Sequence, residues 1–123
     1  MDINTLKKSF FKHFGNPGLE PYIYFAPGRV NLIGEHTDYN NGYVLPCALK
    51  FGTWLLIRKR NNDIINLVSE NFKYTTNIPF PNINKKHGTE WVNYPLGVIN
   101  QLQAKGLKPE GVDMLYFGNI PTG

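Results

Sequence analysis

The sequence predicts an α+β fold, with a mixed or antiparallel sheet and its helices on one side. Three observations lead there. Apolar residues recur at three- and four-residue steps near the start of the chain and again between residues 91 and 105. Between and after these stretches lie short β-branched and aromatic runs. Turn signals join those runs as hairpins, the pattern of α+β rather than of alternating α/β units.

The elements follow in order. Ile3, Leu6, Phe10 and Phe14 share one face of an opening amphipathic helix, which Gly15-Asn16-Pro17-Gly18 ends. Tyr22 to Ala26 is a strand, broken by Pro27-Gly28. Arg29 to Thr37 has no clear period. Asn40-Asn41-Gly42 is a tight turn, because Asn and Gly tolerate positive φ. A strand resumes near Tyr43 or Val44. Thr53 to Lys59 is another, and Asn61-Asn62-Asp63 turns it into a return strand, Ile64 to Ser69, as a hairpin. Tyr74 to Ile78 is a further strand, and 79–89 reads as a loop rich in Pro, Asn, Lys and Gly. Trp91, Leu96, Ile99 and Leu102 mark a second helix, with Pro95 in its first turn and Gly106 as its C-cap. Val112 to Phe117 is the last strand. The chain ends at Pro121-Thr122-Gly123 soon after it, which reads as a truncation that leaves that strand uncovered and an edge open.

Bulk properties narrow the function. At 123 residues the chain accommodates one modest domain. With 41% apolar and 18% charged residues it is a folding sequence, not a disordered one. The net charge of +4 is scattered, and Arg58-Lys59-Arg60 reads as a solvated strand end. No array of arginines and aromatics suggests a nucleic-acid partner. No apolar run reaches membrane-spanning length, and the start lacks the apolar centre of a secretory signal. The single cysteine, Cys47, reads as a buried structural thiol in a reducing compartment, so a cytoplasmic location is expected.

Chemistry is densest between residues 26 and 46. Glu35, His36, Thr37 and Asp38 are adjacent polar side chains between turn residues. They suit a rim that hydrogen-bonds a polyhydroxylated ligand, since each carboxylate accepts from hydroxyls. On spacing alone they equally suit a helix start or an exposed loop. A metal site would need a better-placed second histidine. Arg29 reads as a surface ion-pair partner, and Gly28 and Gly34 as turns, on the same footing.

The run Pro27-Gly28-Arg29-Val30-Asn31-Leu32-Ile33-Gly34-Glu35-His36-Thr37-Asp38-Tyr39-Asn40, continued by Gly42-Tyr43-Val44-Leu45-Pro46, resembles the signature of the galactokinase family within the GHMP kinases. Trp91-Val92-Asn93-Tyr94 and Gly118-Asn119-Ile120-Pro121 also match family patterns. The resemblance implies an incomplete GHMP-kinase N-terminal domain (ribosomal protein S5 domain 2-like) over residues 1–123, with the sugar motif at 26–46 and the C-terminal domain absent. It implies ATP-dependent phosphorylation of galactose at its anomeric hydroxyl, giving galactose 1-phosphate, with Mg2+. Arg29 matches the arginine beside the catalytic aspartate, a transition-state stabiliser. Glu35, His36, Thr37 and Asp38 match sugar-binding positions, Thr37 through its backbone. Ser69 resembles a nucleotide-contacting position, and Trp91 and Tyr94 resemble aromatics of the adenine pocket. The family's phosphate loop, metal ligands and catalytic aspartate lie beyond this chain, so the chain alone is expected to be inactive. The resemblance leaves two alternatives: a non-catalytic galactose-sensing homologue and an N-acetylgalactosamine kinase.

Overall fold

A computed structural model describes residues 2–83, 90–107 and 110–120. Most of the loop expected at 79–89, and Pro121-Thr122-Gly123, lie outside the described residues. The elements run α1 (Ile3–Phe14), β1 (Tyr22–Ile33), β2 (Leu45–Lys59), β3 (Ile64–Ser69), β4 (Thr76–Pro79), α2 (Asn93–Ala104) and β5 (Val112–Gly118). The five strands form one mixed sheet in the order β1-β2-β5-β3-β4, in which only the β3–β5 pair is parallel.

α1 begins where Asp2 accepts from the Thr5 amide at 2.9 Å and the Thr5 hydroxyl at 3.0 Å. The amide bond from Thr5 is the first reason that the Asp2 carboxyl titrates below its ordinary value. Gly15, at φ +70°, ends the helix. α2 carries Pro95 in its first turn, as expected, but its C-cap is Lys105, and Gly106 follows it at φ +84°. Its inward stripe is Val92, Leu96 and Ile99, while Leu102 is exposed.

The expected hairpin between β2 and β3 is not a strand pair. β5 lies between them, antiparallel to β2 and parallel to β3. The turn at 61–63 reverses the chain, but a reversal does not dictate adjacency. The continuous apolar run Met114-Leu115-Tyr116-Phe117 is the mark of a strand covered on both faces, and it takes the central slot. The expectation that this strand leaves an edge open is therefore overturned: both of its edges are paired.

The α+β class holds, but the helices do not share a side. Residues alternate in a strand, and neighbouring residues of β3 and β5 belong to different cores. Leu67 and Met114 pack with Leu96 and Ile99 of α2, whereas Val68 and Leu115 pack with Leu6 and Phe10 of α1. A sheet whose central strand is apolar at successive positions needs cover on both faces.

Three local readings also change. β1 does not break at Pro27-Gly28 but runs on to Ile33, with a register shift between Pro27 and Arg29. β1 is an edge strand, where a missing N–H is tolerated. Arg58 is not solvated. It is 6% exposed, donates to Asp113 at 3.0 Å, donates to the Phe14 and Gly15 carbonyls at 2.9 Å each, and lies over the Phe10 ring. Arg60 and Asn66 complete the shell of the buried Asp113 carboxylate at 2.7 Å each. Cys47 is exposed in β2, not buried, because this half of β2 has no helix over it.

Candidate functional site

The first part of the site is a two-stranded ribbon. The second half of β1 and the first half of β2 pair as Arg29 with Ala48, Val30 with Cys47 and Ile33 with Leu45. Here the burial alternation seen elsewhere disappears: Leu32, Ile33 and Leu45 are all exposed, and Tyr43 is 98% exposed. The loop from Gly34 to Val44 closes the ribbon.

That loop is held by its backbone and one hydroxyl. Thr37 Oγ1 lies 2.7 Å from the Gly34 carbonyl and 3.0 Å from the Tyr43 carbonyl, so a single proton is shared between the two ends of the loop. The Thr37 carbonyl accepts from the Asn40 and Gly42 amides at 3.0 and 2.8 Å. Two glycines are required. Gly34 has φ +98°, and a Cβ there would stand 2.5 Å from the Tyr43 carbonyl oxygen; a Cβ on Gly42 would stand 2.6 Å from Thr37 Cβ. His36 and Asn41 take the left-handed region at φ +59° and +58°, and the Asn40 side chain donates to the His36 carbonyl at 2.9 Å. Thr37 thus serves the loop's shape, with its hydroxyl turned inward.

The remaining polar side chains point out. Glu35, His36 and Asp38 are exposed, and so is Arg29. Among the described residues, Arg29, Glu35 and Asp38 have no side-chain hydrogen bond or ion pair. His36 Nδ1 meets the Tyr39 hydroxyl at 2.6 Å, which fixes the ring and leaves Nε2 as its outward atom. Two carboxylates, an imidazole and a guanidinium are therefore offered from one end of the sheet without partners competing for the carboxylates or the guanidinium.

The second part is a cleft of about 370 Å³, lined by Ser69, Phe72, Trp91, Tyr94, Tyr116 and Ile120 among others. Three residues proposed from sequence, Ser69, Trp91 and Tyr94, meet here although 22 positions separate Ser69 from Trp91. Trp91 is half-buried and donates to the Tyr74 carbonyl at 2.8 Å, with its ring edge-on to Tyr116 and near-parallel to Phe72. Tyr94 is exposed, so it is no core residue. Burial pushes the Tyr116 hydroxyl up to about 12. Flat rings interspersed with hydroxyls suit a flat heteroaromatic ligand. Phe72 and Tyr116 had no signal in the sequence that set them apart from core residues, and Ile120 stood in a matched family pattern without a role assigned to it.

The two parts touch through Ile120. Its side chain lines the cleft and also reaches Gly28, where a Cβ would come within 3.1 Å of Ile120 Cδ1. Arg29 follows Gly28 directly in β1. Asp63 and Asp113 are not part of either site; Asp113 is consumed by Arg58 and Arg60. No group of His, Cys, Asp or Glu suited to hold a metal occurs among the described residues. No described helix is long and apolar enough to cross a membrane.

Comparisons with known proteins bear on the sequence run and on the fold. A family profile described as the galactokinase galactose-binding signature matches residues 8–59. The chain is 50% identical, over its full length, to the galactokinase of Clostridium tetani, of which it covers 31%. It is 44% identical to the galactokinase of Bacillus subtilis over 96% of the chain and 31% of that protein. The crystal structure of Lactococcus lactis galactokinase complexed with galactose superposes at a TM-score of 0.88, with 40% identity, covering 98% of this chain and 31% of that one. Methanococcus jannaschii mevalonate kinase shares the fold at a TM-score of 0.71 and 21% identity, over 87% of this chain and 35% of that one. The chain spans about a third of the length of the curated relatives it matches.

Proposed function

We propose that this chain, which is 50% identical to a galactokinase over its full length, forms the sugar-binding and base-binding portion of an enzyme that phosphorylates galactose with ATP. The observation that carries the reading is the loop 34–44. Its internal bonds are made by Thr37, Asn40, the His36 Nδ1–Tyr39 pair and the backbone, so the Glu35 and Asp38 carboxylates and His36 Nε2 are left to bind a ligand.

In this reading the Glu35 and Asp38 carboxylates accept from sugar hydroxyls, and His36 Nε2 takes one further hydroxyl. Each such bond discriminates by stereochemistry, because a sugar that turns a hydroxyl away leaves a desolvated carboxylate unpaired. Thr37 acts on the sugar only by shaping the loop. Arg29 holds a permanent positive charge at the ribbon's inner end. A guanidinium there stabilises charge on the transferring phosphoryl group and keeps a neighbouring carboxylate ionised. The cleft takes the adenine ring against Trp91, Tyr94 and Tyr116, with the Ser69 hydroxyl at its rim.

ATP supplies the phosphoryl group. The anomeric oxygen bonds to the γ-phosphorus, the bond to the ADP oxygen breaks, and the hydroxyl proton passes to a base. No described residue is assigned that base. Nor do the described residues fit Mg2+, since they offer no ligand cluster. Activity on this reading needs groups beyond those described, and the 123-residue chain alone should show no turnover. A cytoplasmic setting suits the exposed free thiol of Cys47.

A coupled ADP-release assay tests the proposal, run with galactose, ATP and Mg2+ on the complete natural protein that carries this segment and on the 123-residue chain. Turnover of galactose by the complete protein alone supports it. Galactose binding without turnover in the complete protein replaces the enzyme with a sensor, and preference for N-acetylgalactosamine changes the substrate.

A further inference from the structure

The end of β5 is held on both edges by asparagine side chains. The last backbone bond on the β3 side runs from the Glu70 amide to the Tyr116 carbonyl at 2.9 Å. Beyond it, β3 turns away, with the Asn71 amide donating to Ser69 Oγ at 3.1 Å. Gly118 would then lose both partners on that edge. Instead the Asn71 carboxamide takes the place of a strand peptide: Gly118 N–H donates to Asn71 Oδ1 at 2.7 Å, and Asn71 Nδ2 donates to the Gly118 carbonyl at 2.8 Å. A carboxamide carries the donor and acceptor of a peptide group, so it caps a parallel ladder at both atoms.

The opposite edge repeats the device. Asn119 N–H donates to the Gly52 carbonyl at 3.1 Å, as in an ordinary antiparallel pair. The returning bond, from Gly52 N–H, goes to Asn119 Oδ1 at 2.8 Å rather than to a main-chain carbonyl. The Asn119 carbonyl is thereby released from the ladder while its residue stays anchored. The residue held next is Ile120, the one that walls the cleft and rests on Gly28 beside Arg29.

We propose that Asn71 and Asn119 are positioning residues that clamp Gly118 to Ile120, so that the cleft and the Arg29 end of the ribbon keep one fixed spacing. The proposal rests on the reading of the cleft as the base site. Neither residue touches the reacting atoms. Asn71 has a second effect: by donating its amide to Ser69 Oγ it leaves the serine proton free to be given to a nucleotide.

The test uses Asn71→Ala and Asn71→Asp in the complete natural protein, with KM for ATP and for galactose measured separately. Asn71→Ala removes both bonds to Gly118, and KM for ATP should rise about tenfold or more while KM for galactose stays within about twofold. Asn71→Asp keeps the acceptor for Gly118 N–H but sets a carboxylate against its carbonyl, so its KM for ATP should exceed that of the wild type too. Amide hydrogen exchange gives an independent readout. The Gly118 amide should exchange faster in Asn71→Ala while the central Leu115 amide is unchanged, which separates local release from loss of fold. Wild-type exchange at Gly118, or an unchanged KM for ATP, overturns the clamp. A wild-type protein without phosphoryl transfer overturns the proposed function instead, and the exchange ratio then decides the clamp by itself.

Discussion

The body of the sheet and the ribbon that projects from it solve opposite problems. In the body, polar groups are consumed by one another. Asp113, 1% exposed, is satisfied by Arg58, Arg60 and Asn66, and Arg58 also closes the carboxyl end of α1. In the ribbon, the backbone and Thr37 consume each other, and the charged side chains are left over. The difference teaches where recognition can reside. A charge that packing has already claimed cannot serve a ligand without first leaving its partner, whereas Glu35 and Asp38 need displace only water.

Arginine substitutions break the comparison most sharply. Removing Arg58 as Arg58→Ala leaves the buried Asp113 carboxylate with Arg60 and Asn66 alone and takes the donor from the Phe14 and Gly15 carbonyls, and the chain should lose about 3 kcal/mol in chemical denaturation. Arg29→Ala should change stability by no more than about 0.5 kcal/mol, because its side chain is exposed and has no described partner. Equal losses would mean that the ribbon is packed like the body. Within the ribbon, Gly34→Ala forces a Cβ onto the Tyr43 carbonyl at a positive φ. It should weaken galactose binding in the complete protein, measured by calorimetry, by about a hundredfold, with the unfolding midpoint little changed. Thr37→Val keeps the shape of the side chain but not the hydroxyl, and the loss should be about tenfold. If Thr37→Val leaves affinity unaltered, the shared proton is not what sets the loop.

The smallest effect is a pH dependence. Burial raises the Tyr116 hydroxyl to about 12, so the folded chain holds that proton more tightly than the unfolded one, whose tyrosine titrates near its ordinary value. This contribution is complete below about pH 10 and fades as pH rises toward about 12. Tyr116→Phe should flatten the fall in stability across that window.

Much of the body was legible in the sequence. Both helices follow from their apolar period, and the strands from β-branched runs between turns. What was not legible is pairing. Period two tells which residues share a face, but not that β5 enters between β2 and β3. The same blindness hid the partners of Asp113, because Arg58 turns inward at the end of β2 beside the outward Lys59, and Arg60, just past the strand and 28% exposed, reaches back to the same carboxylate. For the site, the signature marked the loop and Arg29 through a family likeness, whereas spacing alone left them as ordinary turn residues. The cleft was half visible. Ser69, Trp91 and Tyr94 stood out by that likeness, but Phe72, Tyr116 and Ile120 come together only through the sheet order. Cys47 was misread because an apolar neighbourhood in sequence is not a covered one in space.

The central position of β5 has a consequence for how the chain is made. Of the five strands it is the last to be synthesised, yet it supplies partners to both β2 and β3. Until residues 112–118 leave the ribosome, the β1–β2 and β3–β4 pairs have no strand joining them. Each presents an unsatisfied edge next to apolar side chains for the whole time taken to translate α2 and its flanking segments. Assembly of this sheet thus waits on contacts distant in sequence, and a slow, aggregation-exposed folding step is the cost of placing the last of these five strands in the middle.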